Sequence, residues 1–134
     1  MVATWAHRNQ TDMAGKPYID HCERVARAVK DNPVACAVGW LHDVVEDTDV
    51  TLTDLAKMGF SVEVLAGVKA MTQLPGEDLE HYWGRVRANG HAKLVKVHGD
   101  IPDNSDERRL DYLPEHIQVK LRAKYARALE FLNG

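Results

Sequence analysis

One segment makes two demands that are hard to satisfy together. After Asn32-Pro33, the apolar residues Val34, Ala37-Val38, Leu41 and Val44-Val45 recur at three- and four-residue spacing. They cover more than half of a helix circumference, which predicts a central helix with neighbours on several sides. The same segment carries His42-Asp43 and Glu46-Asp47. On a continuous helix His42 and Glu46, and likewise Asp43 and Asp47, form two adjacent columns on one face. Carboxylates crowded near a helix C-terminus repel one another and oppose the helix dipole. A divalent cation removes that conflict, because imidazole and carboxylate are both good ligands. A helix that stops at Val45, followed by a solvated acidic turn, explains the same residues, and this stretch alone does not choose between the two.

The rest of the chain also reads as helical. Val2 and Trp5-Ala6 begin a short helix that ends by the Ala14-Gly15-Lys16-Pro17 turn. Pro17 suits the first turn of the next, whose stripe is Ile19, Cys22, Val25-Ala26 and Val29. Asn32 and Ser61 are N-cap candidates, Thr51 to Asp54 resembles a capping box, and Gly59 is a stop. Leu74-Pro75-Gly76 breaks the pattern before helices over about 77–87 and from Ala92 to Val97. Residues 99–111 are polar and loop-like, and Pro114 opens a last helix through Leu132. No segment alternates well enough to be a strand. The expectation is an all-α fold in one domain over residues 1–134, with no linker or repeat to divide it.

Composition narrows the function classes. The 17 Lys+Arg against 20 Asp+Glu give a net charge of -3, so the basic surface of a nucleic-acid-polymer binder is absent. No apolar run is long enough to span a membrane. Residues Met1 to Arg8 lack the pattern of a signal peptide, and Cys22 and Cys36 form no CxxC pair, so a cytoplasmic protein with reduced thiols is expected.

Seven histidines are the unusual count. His21 sits at the edge of the second helix's stripe, where it reaches a neighbouring helix or serves only as a hydrogen-bonded structural residue. The segment Asp100 to Asp106 spaces oxygen donors like a calcium loop but lacks its glycine and terminal Glu, so that reading is rejected. Tyr82 and Trp83, at helical spacing with Leu79 and Val86, read as core before they read as a base-stacking pair. Arg108 and Arg109 are either a phosphate clamp or surface.

Tyr18-Ile19-Asp20-His21, followed by His42-Asp43-Val44-Val45-Glu46-Asp47-Thr48 and a downstream Lys-x-x-Asp-like element, resembles the HD-domain metal phosphohydrolases. Within them the likeness is to the hydrolase domain of RelA/SpoT-type proteins and their small stand-alone relatives. It runs from about His7 to Asn104 and weakly into the last helix. The resemblance implies a compact helical bundle with His21, His42, Asp43 and Asp100 as ligands of a metal, usually Mn²⁺. It implies Glu46 and Asp47 as the acids that deprotonate and orient water, so that metal-bound hydroxide attacks phosphorus. It implies Asn104, and Tyr125 on the last helix, as substrate contacts. Arg8, Lys16 and Lys96 lie beside the matched motifs and are candidates for holding an anionic nucleotide.

The implied activity is that of a guanosine 3′,5′-bis(diphosphate) 3′-pyrophosphohydrolase. A phosphatase on another nucleotide or dinucleotide cofactor, and a non-catalytic metal- or nucleotide-binding sensor, are the alternatives. Two departures matter. Lys96-Val97-His98-Gly99-Asp100 has one residue more than the family's Lys-Leu-Ala-Asp, which leaves His98 and Asp103 as alternative last ligands. Thr11-Asp12 stands where an Arg-Lys pair is expected to help hold guanine nucleotide.

Overall fold

The computed structural model describes residues 2–12 and 15–134; Met1 and Ala14, touched by the readings of the N-terminus and the first turn, lie outside the described residues. The chain is all-α. Its helices are α1 (Val2–Ala6), α2 (Tyr18–Ala28), α3 (Pro33–Leu41), α4 (Val44–Asp47), α5 (Leu52–Lys57) and α6 (Val62–Ala70). They continue as α7 (Leu79–Ala88), α8 (Gly90–Val95), a π-helical turn (Lys96–Asp100), α9 (Ile101–Asn104), α10 (Glu107–Leu110) and α11 (Glu115–Asn133). Among the described residues no strand forms, and Thr11 and Pro17 make one isolated antiparallel bridge.

The caps follow side-chain chemistry. Asn32 accepts from the Ala35 N–H with Pro33 at the first helical position, and Ser61 accepts from Val64. Thr51 and Asp54 form the reciprocal capping box, and Gly59 after α5 has φ +93°, a conformation that suits glycine.

α3 is the central element, packed against α2, α6 and α8. Ala35, Val38 and Leu41 are buried there, and full burial of each large apolar side chain contributes roughly 1.5–3 kcal/mol. The crossing with α2 depends on Gly39: a Cβ there would lie 2.9 Å from the Ala26 Cα. That close approach brings the His21 and His42 rings to 5.3 Å, centroid to centroid.

Two expectations about this framework are corrected. The central helix does not run through Val45: it ends at Leu41, and α4 starts afresh with Asp43 as N-cap. The His42 ring takes part in the break. Its Nδ1–H donates to the Gly39 carbonyl at 2.7 Å, a carbonyl that the Asp43 N–H would use in a continuing helix. Glu46 and Asp47 therefore occupy the first turn of a new helix, and the expected conflict with the dipole of a long helix does not arise.

The second correction concerns residues 99–111, which are helical in large part. A π-helical turn contains one residue more than the α-helix it interrupts. Lys96–Asp100 is such a turn, continuous with α8 and α9, and it absorbs the extra residue before Asp100 without a loop. Gly99 permits it, because a Cβ there would lie 2.8 Å from Val25 Cγ1 and 3.0 Å from the Val25 carbonyl. Ser105 then donates to the Ile101 carbonyl and Asp106 caps α10.

Candidate metal and catalytic site

Four side chains converge where α2, the α3–α4 break and the π-helical turn meet. Ligand atoms of His21, His42 and Asp43 lie within 4.8 Å of one another. Asp100 joins them: its Oδ1 is 3.1 Å from His21 Nε2 and 3.3 Å from His42 Nε2. His42 Nε2 is also 3.0 Å from Asp43 Oδ2. It makes no hydrogen bond, and with His7 Nε2 it is a buried side-chain polar atom without such a partner among the described residues. With Nδ1 donating to Gly39, Nε2 carries a lone pair aimed at carboxylate oxygens. Acceptors facing acceptors in a buried place are what a cation reconciles, so the residues fit a divalent metal.

The carboxylates are held ready for that role. Burial alone would raise the Asp100 carboxyl, but the Lys96 ammonium beside it outweighs that and holds it well below the usual range. Lys96 Nζ bonds Asp100 Oδ2 at 2.8 Å, and the Asn104 amide donates to Oδ1 at 3.0 Å. Tyr18 donates its hydroxyl to Asp43 Oδ2. Burial and the Asp43 charge push the Tyr18 phenol far above its ordinary value, so it stays protonated and donating.

Glu46 and Asp47 lie on the exposed side of the cluster, where water has access. Burial raises Glu46, while the Gln73 N–H, 3.0 Å from Oε2, fixes its carboxylate and partly opposes the rise. Asp47 is raised by burial and by Asp43, against a hydrogen bond from Gln10. A cavity of about 210 Å³ opens over the cluster, with Asp43, Glu46, Asp47, Asp100, Lys96 and Lys124 in its walls. It shares Tyr18, Asn104 and Tyr125 with a second cavity of about 310 Å³, whose apolar wall is Leu110, Leu113 and Leu121.

The other predicted substrate residues separate. Asn104 and Tyr125 line both cavities, and Lys96 lines the first but is already paired with Asp100. Arg8 rests 4.0 Å over the Trp5 ring and borders a groove that ends at Glu46 and Asp47. Lys16 does not line the acid-bearing cavity. It borders a cleft with Arg24 and Arg108, because the 15–17 turn faces α2 and α10 rather than α4.

Of the alternative last ligands, His98 is exposed, and Asp103 stands behind His21, with Oδ2 2.6 Å from Nδ1. Arg108 is on the surface with Asp106, whereas Arg109 bonds Asp12, Asp103 and Asn104. Tyr82 and Trp83 are core, the Tyr82 hydroxyl donating to the Met71 carbonyl. Sequence reading gave no role to Tyr18, to the Gln73 N–H or to Lys124. Tyr18 belongs to the motif that identified His21, but Lys124 carries no signal beyond its place beside Tyr125.

No protein-family model matches the chain. Over 100 residues, 71% of its length, it is 41% identical to a guanosine-3′,5′-bis(diphosphate) 3′-pyrophosphohydrolase of Vibrio cholerae. It is 36% identical over 77 residues to a probable enzyme of the same name from Mycoplasma genitalium. The chain is a relative of the RelA/SpoT-type hydrolases.

An alignment covering 98% of this SpoT relative is 35% identical to a putative chloroplastic GTP diphosphokinase of Oryza sativa. The chain spans 14% of the Vibrio protein and 16% of the rice protein. Its fold matches a solved structure described as a metazoan ortholog of SpoT that hydrolyzes ppGpp. The TM-score is 0.79 at 24% identity, over 99% of this chain and 82% of that one. The bundle is therefore HD-domain-like, and its buried His-His-Asp cluster is a divalent-metal site in chemical character. No described helix is long and apolar enough to cross a membrane.

Proposed function

We propose that the chain is a Mn²⁺-dependent cytoplasmic hydrolase of nucleotide phosphoesters, acting as a guanosine 3′,5′-bis(diphosphate) 3′-pyrophosphohydrolase. The observation that carries the reading is the convergence of His21, His42, Asp43 and Asp100 beneath a cavity whose rim holds Glu46 and Asp47. Mixed nitrogen and oxygen donors suit Mn²⁺ among divalent metals. A divalent cation held by those four side chains would lower the pKa of a coordinated water and offset charge on the phosphoryl oxygens.

Glu46 then takes the proton of the attacking water, and Asp47 orients that water. The new bond forms to phosphorus, the bond from phosphorus to the sugar 3′ oxygen breaks, and the proton returns to that oxygen. Pyrophosphate leaves and GDP remains. Asn104 and Tyr125 border the adjoining cavity, whose apolar wall suits a nucleobase. The extra residue before Asp100 gives little support to a non-catalytic sensor, since the π-helical turn accommodates it within the cluster.

One observation favours a second reading, a phosphatase on another nucleotide or dinucleotide cofactor. Asp12 pairs with Arg109 at 3.2 Å, so this wall has a compensated charge where the family's basic pair would stand. A panel of nucleotides offered to Mn²⁺-loaded protein separates the readings. Pyrophosphate release from guanosine 3′,5′-bis(diphosphate) is the expected result. Orthophosphate release from a different nucleotide or dinucleotide would establish the second reading, and no turnover by metal-loaded protein would contradict both.

A further inference from the structure

Asp103, an alternative last ligand by sequence, carries its carboxylate on the far side of the His21 ring from the cluster. Oδ2 is 2.6 Å from His21 Nδ1, while His21 Nε2 faces Asp100 at 3.1 Å. Asp103 is itself fixed: Arg24 Nε meets Oδ1 at 2.6 Å, and an Arg109 nitrogen meets Oδ2 at 2.7 Å. Its side chain is 11% exposed.

An ionised carboxylate only accepts hydrogen bonds, so Nδ1 carries the proton and Nε2 of the neutral ring keeps the lone pair. The same Arg109 nitrogen is 3.3 Å from Nδ1, but the shorter contact to the carboxylate decides which atom donates. A carboxylate behind a histidine ligand fixes the ring's tautomer and orientation and makes it a better donor.

We propose that Asp103, clamped by Arg24 and Arg109, is a positioning residue that sets the tautomer and angle of His21, and through it the affinity of the cluster for divalent metal. The inference rests on the reading of His21 as a ligand. It assigns Asp103 no contact with metal or substrate. A purely structural tether between α2 and α9 would use the same ion pairs with Arg24 but would not govern which His21 nitrogen is protonated.

Two measurements on the full chain test it. Calorimetric titration with Mn²⁺ alone should show Asp103→Ala binding roughly 10–100-fold more weakly than wild type, the usual cost of losing such a partner. Nitrogen-15 NMR of the metal-free protein, at alkaline pH where His21 is neutral, should find the proton on Nδ1 in wild type and shifted towards Nε2 in Asp103→Ala. Unchanged affinity, or a His21 tautomer indifferent to the substitution, overturns the proposal.

If Asp103→Ala does not fold, Asp103→Asn replaces it. An amide offers either oxygen or NH₂ to Nδ1, so the tautomers should mix and affinity fall several-fold; an unchanged nitrogen spectrum with unchanged affinity again overturns it. A wild-type chain that takes up no Mn²⁺ would remove the proposed function, and the His21 nitrogen spectra would still decide what Asp103 does.

Discussion

Asp43→Ala is expected to abolish divalent-metal binding. Asp43 offers a ligand atom within 4.8 Å of those of both histidines, and its Oδ2 accepts the Tyr18 hydroxyl. Removing it takes a negative charge and a donor atom from the centre, and leaves the Tyr18 hydroxyl without its acceptor. The effect should exceed the roughly 10–100-fold loss that follows removal of an outer partner. A part-buried hydroxyl that loses its protein partner should also cost some stability in the metal-free protein, towards the lower end of ~1–3 kcal/mol. Thermal melts with and without Mn²⁺ read both effects. Wild type should gain about 2.7 kcal/mol when Mn²⁺ is at 100 times its Kd, and the variant should gain none. An Asp43→Ala protein still stabilised by Mn²⁺ to the wild-type extent would exclude Asp43 as a ligand.

Glu46→Gln should do the reverse, keeping the metal and losing turnover. Glu46 lies on the α4 turn, exposed to the cavity, and its carboxylate accepts a hydrogen bond from the Gln73 N–H. A glutamine oxygen can accept the same bond, so the loop carrying Gln73 stays attached and only the proton acceptor is lost. General-base catalysis contributes about 10²–10⁴-fold, and kcat should fall by that factor with KM and Mn²⁺ affinity nearly unchanged. Glu46→Ala should lose turnover as well, without the retained hydrogen bond. Full activity in either variant would show that another group takes the proton.

Much of this site is legible in the sequence because it rests on short-range patterns. The apolar surface of residues 34–45 does mark the central helix, and PYIDH with HDVVEDT identifies three of the converging side chains. Local reading fails where a side chain competes with the backbone or where one residue is added. Nothing in the periodicity of Leu41 to Val45 reveals that the His42 ring would take the Gly39 carbonyl and end the helix. Periodicity counts in steps of 3.6 residues, so the π-helical turn through Gly99 looks like a loss of pattern, and the 99–111 segment reads as loop.

Long-range charge pairing is equally hidden. Asp103 behind His21 and Arg109 against Asp12 join residues more than 80 positions apart, the second pair across the 310 Å³ cavity wall. Lys16 shows the converse: it adjoins the motif in sequence, but its turn faces the cleft of Arg24 and Arg108.

The central claim is that His21, His42, Asp43 and Asp100 hold one divalent metal. Crystals grown with Mn²⁺ and measured for its anomalous scattering test it directly. A single strong peak among His21 Nε2, His42 Nε2 and the Asp43 and Asp100 carboxylates, with Asp103 outside bonding distance, is the predicted result. A peak bonded to Asp103 or His98, or no peak in that cluster at saturating Mn²⁺, would contradict it.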